Sequence, residues 1–342
     1  MSAVRSLSFT TLFSSMRGTA MTQKLLGVDL GGTQIRATLA NSDGVMQSRV
    51  ATLTLADEGP TAVIERIVTQ IEAARGDQHI AAIGLGAPGP IDPYNGVVIV
   101  APNLPGWHNI ELRQILSRRF GVPVYIGNDA NLAGLAEFRF GAGRGSNHMI
   151  YITVSTGIGG GVIINRRLLL GSRGMAAEIG HVTIDLTGEL EGRCEIGTLE
   201  GLASGPNLAK RARRALANGA KSAVLEWVHG DIEAVSPRLL QEAAEQGDEF
   251  ALDQYALTGR YLGVGITNLL HTFNPQRIVI GGSVWLYAGR YIEATMWETI
   301  RQRAQSPDFW NQLEIVSAAL GDDVGLLGAV ALAADELERA HG

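Results

Sequence analysis

The sequence of 342 residues contains a single cysteine, Cys194. One thiol cannot form a disulfide within the chain or build a metal site from several thiolates, and this scarcity favours a cytoplasmic location. The net charge is −6 and no dense cluster of lysine and arginine occurs, which argues against nucleic acid or an anionic membrane surface as a partner. No apolar run reaches the length of a membrane span, and the most apolar stretches, such as Ile278 to Gly282, are only as long as strands.

Several common catalytic motifs are also missing. The sequence has no G-x-x-x-x-G-K-[ST] phosphate loop, no H-E-x-x-H zinc motif and no G-x-S-x-G nucleophile elbow. The stretch from Gly84 to Gly89 matches the dinucleotide pattern G-x-G-x-x-G, but Pro88, Pro90 and Pro93 crowd the place where a helix should begin. We therefore reject a dinucleotide site there.

What is present indicates a glycine-rich α/β enzyme. The chain has 43 glycines and 46% hydrophobic residues, and its length favours two domains with a ligand-binding cleft between them. Residues 1–20 contain Arg5, Arg17 and many Ser and Thr but no acid, which is typical of a disordered extension or of a targeting-like transit peptide. We expect the fold to start near Met21.

Two glycine-rich hairpins suggest a duplicated α/β unit. The first joins strands 25–29 and 35–40, and the second joins strands 149–154 and 162–164 through a turn from Ser155 to Gly161. The pattern predicts a smaller N-terminal domain over 21–126 and a larger C-terminal domain over 127–322, with the closing helix 323–339 crossing back to the first domain. Further helices are predicted at 61–74, 110–120, 206–217 and 237–271.

The first hairpin carries candidate phosphate and metal ligands. Gly31 and Gly32 let backbone N–H groups approach a phosphate, and the Thr33 hydroxyl adds a donor. Asp29 could hold Mg²⁺ through water, because Mg²⁺ keeps most of its hydration and takes only one or two carboxylates. An ordinary hairpin turn is the alternative interpretation.

The second hairpin, Thr153 to Gly161, has four glycines within five residues. This number exceeds what a hairpin turn requires, and we take it to indicate a closely bound ligand.

Asp129 follows a buried strand and begins a helix, which places it at the carboxyl end of the strand, where α/β sheets carry their chemistry. A helix N-cap is the common alternative role for an aspartate. Glu178 and His181 are three residues apart, with Glu200 further on, and could bind sugar hydroxyls. Taken singly, a structural histidine and a solvated surface glutamate are the plainer interpretations.

Taken in order, these segments resemble the ROK family of bacterial sugar kinases and sugar-responsive repressors. The resemblance runs from about Met21 to the end of the chain and includes Ile280-Gly281-Gly282 late in the sequence. It implies an actin-like ATPase (ribonuclease H-like) fold with a duplicated α/β unit and a central cleft. The other matching segments are Asp29 to Thr33, Gly86 to Pro90, Ala101 to Trp107, Asn128 to Asn131, Ser155 to Gly161 and Glu178 to His181.

The resemblance also implies roles for individual residues. It makes Asp129 the general base in ATP-dependent phosphorylation of a hexose, most similar to the conversion of glucose to glucose 6-phosphate. It places ATP between the two domains with Mg²⁺. The implied sugar contacts are Gly89, Asn103, Asn128, Asp129, Glu178, His181 and Glu200. The implied nucleotide contacts are Gly31, Gly32, Thr33, Thr156, Gly157 and Gly282.

One departure from the family concerns zinc. Most members carry three cysteines that bind structural zinc together with the histidine that matches His181, whereas this chain has Glu191, Arg193 and Thr198 at those positions. A tetrahedral site cannot be completed, so we predict no structural zinc and expect His181 to be oriented by another partner. Smaller departures are Gln34, where lysine is usual, and Ala177, where glycine is usual.

Other functions stay open at this point. The sugar could be fructose, mannose or an N-acetylhexosamine, and the donor could be polyphosphate. A non-catalytic sugar-sensing repressor is less favoured, because only about 20 residues without helical periodicity precede the first hairpin, too few for a DNA-binding helix-turn-helix. The family also implies a homodimer or homotetramer.

Overall fold

The computed structural model describes residues 23–186 and 197–341, in which strands and helices alternate along the chain. The strands are β1 (Lys24–Leu30), β2 (Gln34–Asn41), β3 (Val50–Leu53), β4 (Ala82–Ala87), β5 (Ile91–Asp92), β6 (Val97–Val100), β7 (His108–Ile110), β8 (Val124–Asn128), β9 (Met149–Val154), β10 (Ile158–Ile164), β11 (Arg167–Leu168), β12 (Arg277–Gly281) and β13 (Glu314–Ser317). The helices are α1 (Gly59–Arg75), α2 (Leu112–Phe120), α3 (Asp129–Arg139), α4 (Leu199–Ala203), α5 (Gly205–Ala217), α6 (Val224–Trp227), α7 (Pro237–Glu245), α8 (Glu249–Phe273), α9 (Ser283–Arg303) and α10 (Val324–His341). The predicted N-terminal extension lies outside the described residues.

Two five-stranded sheets share one topology. The first has the order β3-β2-β1-β4-β8 and the second β11-β10-β9-β12-β13. In each sheet a three-strand antiparallel meander is followed by two strands that run parallel to the first strand of the hairpin. The same order in both sheets is the structural counterpart of the two similar hairpins in the sequence. A small third sheet, β5-β6-β7, follows β4.

Helix α10 packs closely against the first sheet. A Cβ atom added to Gly84 in β4 would lie 1.8 Å from the Ala329 carbonyl oxygen, and one added to Gly27 in β1 would lie 2.6 Å from that of Leu326. No side chain fits at either position, so glycine permits the contact between helix and sheet. The last helix of the chain therefore lies on the sheet formed by its first strands.

A fully buried carboxylate links α3 to the segment that leads into α10. The Glu137 side chain accepts hydrogen bonds from the backbone N–H groups of Ala319 and Leu320, both at 2.9 Å, and of Ala142 at 2.8 Å. Three N–H donors satisfy a carboxylate that has no water around it. Glu137 thus connects the helix that begins at Asp129 with the chain segment that crosses between the sheets.

Two predicted elements differ from the structure. Strand β10 begins at Ile158 rather than Val162, so three glycines belong to the strand and not to the turn. The predicted helix 237–271 is two helices, because Gly247 adopts φ +81° and the Asp248 carboxylate accepts from Ala251 N at 2.8 Å, which caps α8. No helix within residues 23–186 and 197–341 is long and apolar enough to cross a membrane.

Candidate active site

A cleft of about 480 Å³ lies between the two glycine hairpins and the start of α3. Of the residues predicted for the site, those in its wall are Asp29, Asn128, Asp129, Thr156, Gly157, Glu178, His181 and Glu200. Segments far apart in the sequence therefore meet in one cavity. Arg36, Tyr151 and the first turn of α10 also line it, and none of these was predicted.

Asn128 and Asp129 have different roles at the start of α3: Asn128 caps the helix, and Asp129 faces the cleft. The Asn128 side-chain oxygen accepts from the N–H groups of Ala130 and Asn131 at 3.0 and 3.2 Å, so Asn128 is the N-cap of the helix. Its amide nitrogen donates to the Gly89 carbonyl oxygen at 3.3 Å. The N-cap role considered for Asp129 is thus filled by its neighbour, and the Asp129 side chain is exposed to the cleft.

The protein around Asp129 makes its ionised form less favourable. Although the Asp129 side chain faces the cleft, the protein atoms around it remove much of the solvation of its carboxylate, and this desolvation, together with the nearby charges of Asp29 and Glu178, raises the pKa of Asp129 to about 6. The hydrogen bond from Ala130 N, at 2.8 Å, opposes this rise. A carboxylate with a pKa near neutrality is a stronger proton acceptor than an ordinary aspartate and is still ionised at pH 7.

Asp29 is held by an arginine on the neighbouring strand. Asp29 and Arg36 face each other across the β1–β2 hairpin, and Arg36 donates from Nε and Nη2 to Oδ2 of Asp29, with the Nε distance 3.1 Å. The Arg36 Nη1 atom donates to the Asp322 carbonyl oxygen at 2.7 Å. An ion pair of opposite charges therefore lies in the wall of the cleft, beside the start of α10.

Three of the residues predicted to contact the sugar, Glu178, His181 and Glu200, differ in how many contacts they already make with the protein. Glu178 and His181 are exposed to the cleft, with His181 Nε2 at 3.9 Å from Glu178 Oε2. Glu200 is half-buried and its Oε2 atom accepts from Ile158 N at 2.7 Å, so one carboxylate oxygen holds the second hairpin in place. His181 is therefore not a buried structural histidine, and Glu200 is not a fully solvated surface glutamate.

Three glycines of the second hairpin are required by packing within the protein. A Cβ atom on Gly159 would lie 2.8 Å from Cβ of Ala130, one on Gly160 would lie 2.2 Å from Cδ1 of Ile179, and Gly161 faces the backbone of α3. Close packing alone therefore requires glycine at these three strand positions, and the glycine run by itself does not identify a ligand site, although Gly159 and Gly160 also line the cleft. Only Gly157 lies in the turn itself, against the Glu200 carboxylate.

Six predicted residues lie outside the wall of the cleft: Gly31, Gly32, Thr33, Gly89, Asn103 and Gly282. Gly89 is connected to the wall, because its carbonyl oxygen accepts from Asn128. Asn103 instead lies against the first-hairpin loop, where its Cβ would be 3.1 Å from a Cβ on Gly32. The first-hairpin loop is fixed by Thr54, whose hydroxyl donates to the Gly31 carbonyl oxygen at 2.7 Å.

A second cavity of about 680 Å³ adjoins the cleft at the start of α9. The hydroxyl oxygens of Ser155, in the cleft, and Ser283, in the second cavity, are 3.0 Å apart. Gly282 precedes α9 with φ +86°, and a Cβ there would lie 2.4 Å from the Val154 carbonyl oxygen, so the turn requires glycine. The walls of the two cavities are therefore in contact at this turn.

The segment predicted to lack zinc ligands is described only in part. Glu191, Arg193 and Cys194 lie outside the described residues, whereas Thr198 caps α4 by accepting from Gly201 N at 3.0 Å. Within the described ranges, no three His, Cys, Asp or Glu side chains come together as a metal-binding group.

Ala177, beside the cleft, has a left-handed backbone conformation with φ +69°. This conformation costs a residue with a Cβ roughly 1–2 kcal/mol, whereas glycine adopts it freely. The position is also one where the related family usually has glycine, and the structure gives the physical reason.

We expect Ala177→Gly to stabilise the protein by roughly 0.5–1 kcal/mol, because the relief of strain exceeds the added flexibility of the unfolded chain. Thermal unfolding measures the change. The control is Ala73→Gly on the exposed face of α1, which should lower stability by about 1 kcal/mol. A loss of stability in the Ala177 variant as well would contradict the strained conformation.

Comparison with known proteins finds relatives that match most of the chain. Residues 25–336 match the ROK family. A Thermotoga maritima protein named glucokinase is 38% identical over 315 residues, which cover 90% of this chain and 96% of the relative. A xylose repressor of Caldicellulosiruptor bescii is 30% identical over 320 residues, covering 92% of this chain and 78% of the repressor.

Solved structures of related proteins also match most of the chain. The ROK hexokinase of Thermus thermophilus superposes with a TM-score of 0.80 at 36% identity, covering 93% of this chain and all of that one. A ROK family glucokinase from Streptomyces griseus, in complex with glucose and AMPPNP, gives a TM-score of 0.75 at 32% identity and covers 91% of this chain and 99% of that one. These structures confirm the predicted actin-like ATPase fold.

Proposed function

Since the chain belongs to the ROK family, we propose that it transfers the γ-phosphoryl group of ATP to a hydroxyl of a hexose, with glucose as the favoured sugar. The observation that carries this proposal is Asp129, which faces the cleft with a pKa of about 6 while Asn128 fills the N-cap position. The glucokinase relatives and the glucose and AMPPNP complex of one of them support the choice of substrates.

In the proposed reaction, Asp129 accepts the proton of the sugar 6-hydroxyl as that oxygen attacks the γ-phosphorus, and the bond from the γ-phosphorus to the β–γ bridging oxygen breaks. A general base of this kind contributes roughly 10²–10⁴-fold to the rate. The exposed Glu178 and His181 side chains are suited to bind the other hydroxyls. A sugar that lacked one of those hydroxyls would leave a polar group unpaired, which gives the site its selectivity.

The nucleotide has a continuous path in this proposal. Its phosphates would lie in the cleft near Thr156 and Gly157, and its adenosine in the second cavity beyond Gly282. The N-terminus of the 21-residue helix α9 borders that cavity, and the first N–H groups of a helix have no acceptor within the helix itself. The 3.0 Å contact between Ser155 and Ser283 marks where the two parts of the ligand would join.

Asp29 fits a Mg²⁺ ion that is held mainly by water and phosphate oxygens. It is the carboxylate in the wall beside the first glycine hairpin, and such an ion needs only one or two protein carboxylates. When bound, the ion would supply positive charge to the phosphate oxygens. Arg36, which fixes the orientation of the Asp29 side chain, limits how this carboxylate can present its oxygens.

A coupled assay of ADP release tests the proposed function. Glucose, fructose, mannose and N-acetylhexosamines are compared as acceptors with ATP as donor. Polyphosphate, which releases no ADP, is compared by measuring the sugar phosphate formed. We expect the highest kcat/KM with glucose and ATP. Sugar binding without turnover of any acceptor would contradict the proposal and favour the regulatory role known from the repressor relatives.

The pKa of Asp129 predicts the acid limb of the pH profile. The base must be ionised to accept a proton, so kcat/KM should fall tenfold per pH unit below about 6 and be level just above it. A steady-state profile between pH 4.5 and 8 measures this limb. A limb centred near the ordinary aspartate value of ~4 would show that the cleft does not raise the pKa.

The absence of structural zinc is a further prediction. Thr198 lacks a zinc-binding atom at one of the family's cysteine positions, and the chain has only one thiol to offer. Elemental analysis of the purified protein should find well under one zinc per chain. One full equivalent that resists mild chelation would contradict the assignment. The cytoplasmic location and the homodimer or homotetramer also stay predictions.

A further inference from the structure

Arg36 is the only arginine or lysine in the wall of the cleft among the residues that the structure describes. It shares that wall with four carboxylates: Asp29, Asp129, Glu178 and Glu200. A triphosphate that entered a cavity of this composition would meet net negative charge, which opposes binding. The one guanidinium in the wall is therefore placed where an anionic ligand needs it.

The backbone dictates where the Arg36 side chain points. Successive residues of a strand face opposite sides, so Ile35 enters the core and Arg36 faces the other side, where Asp29 lies directly opposite on β1. Its side chain keeps 24% of its surface exposed and that of Asp29 keeps 14%. The pair is ordered by the hairpin yet remains open to the cleft.

Arg36 has hydrogen-bonding capacity left. A guanidinium carries five N–H groups, and here Nε, one N–H of Nη2 and one N–H of Nη1 serve Asp29 and the Asp322 carbonyl oxygen. Two N–H groups, one on each terminal nitrogen, remain for other acceptors. Paired terminal N–H groups match the spacing of two phosphate oxygens.

We propose that Arg36 binds the phosphates of the nucleotide in this cleft while its other N–H groups hold Asp29 in position. This inference rests on the proposed function, because it assumes that the cleft receives the triphosphate. It adds a phosphate-binding cation that the glycine hairpins alone do not provide.

A purely structural role is the alternative, since Arg36 also ties β2 to the start of α10. The chain offers a matched control for that role. Arg49 makes a similar link to the next residue, Asp323, at 3.0 Å, but it does not line the cleft. Loss of Arg49 removes a tie at the same junction without removing charge from the cavity.

The experiment measures the binding of ATP and of adenosine by calorimetry, with EDTA and without sugar. The variants are Arg36→Met, Arg36→Gln, which keeps amide donors but no charge, and Arg49→Met. We expect both Arg36 variants to bind ATP roughly 10–100-fold more weakly, as is typical for loss of a charge-assisted hydrogen bond. Adenosine affinity should change less than about twofold, and Arg49→Met should bind both ligands like the wild type.

The outcomes separate the hypotheses. Equal losses for ATP and adenosine in a folded Arg36 variant, or an unchanged ATP affinity, would overturn the inference. If Arg36→Met does not fold, the milder Arg36→Gln decides by the same ratio of ATP to adenosine affinity. A wild-type protein that binds neither ligand even after Mg²⁺ and glucose are added would instead refute the proposed function.

Discussion

Asp129→Asn should abolish phosphoryl transfer while leaving sugar binding nearly unchanged. Asparagine has the shape of aspartate and can still accept the hydrogen bond from Ala130 N, but it cannot take up a proton at neutral pH. We expect kcat to fall roughly 10²–10⁴-fold, the usual contribution of a general base. The sugar dissociation constant, measured by calorimetry, should stay within about threefold of the wild-type value.

The structure allows this variant to fold. Because Asn128 caps α3, the Asp129 carboxylate is not needed to begin the helix. The matched control is Asp253→Asn on the exposed face of α8, which should leave kcat and sugar affinity unchanged. A turnover in Asp129→Asn within tenfold of the wild type would remove Asp129 from the role of base.

Glu137→Ala should have the largest effect on stability. The substitution leaves the N–H groups of Ala142, Ala319 and Leu320 without their acceptor in a buried place, and each unsatisfied donor costs ~1–3 kcal/mol. We expect a loss of at least about 3 kcal/mol, which corresponds to a decrease of roughly 6 °C or more in the unfolding midpoint. Thermal and urea unfolding measure it.

The control for this prediction is Glu293→Ala, which removes an exposed carboxylate from α9 and should change stability by less than ~0.5 kcal/mol. Glu137→Gln keeps the volume but turns an NH₂ group toward N–H donors, so it should also destabilise the protein. A Glu137→Ala variant as stable as the wild type would show that the segment at Ala319 does not depend on the Glu137 carboxylate.

Much of the fold was predictable because it follows local patterns. The glycine hairpins, the strands that follow them and the helix after Asn128 all have clear signals in short windows of sequence. The same order of strands in both sheets matches the similarity between the two hairpins. Glycine at positions 159–161 does not by itself identify a ligand site, because closely packed protein atoms and a closely bound ligand impose the same requirement on a strand.

The parts of the fold and of the site that were not predicted depend on contacts between distant segments. Glu137 reads in sequence as one more polar residue of a helix, and only the tertiary fold brings the segment at Ala319 and Leu320 to it. For Arg36, strand alternation in the sequence indicates only that its side chain lies on the same face of β2 as that of Gln34. The pairing with Asp29 became visible only once the hairpin register was known.

The most direct test of the central claim identifies the products. The wild-type protein is incubated with glucose, ATP and Mg²⁺, and the mixture is followed by phosphorus and carbon magnetic resonance. The proposed function predicts equal amounts of ADP and glucose 6-phosphate, with the phosphoryl group on the 6-hydroxyl, and formation of the same product by Asp129→Asn at least about 100-fold more slowly. ADP with inorganic phosphate and unmodified glucose, or no ADP at all, would contradict it.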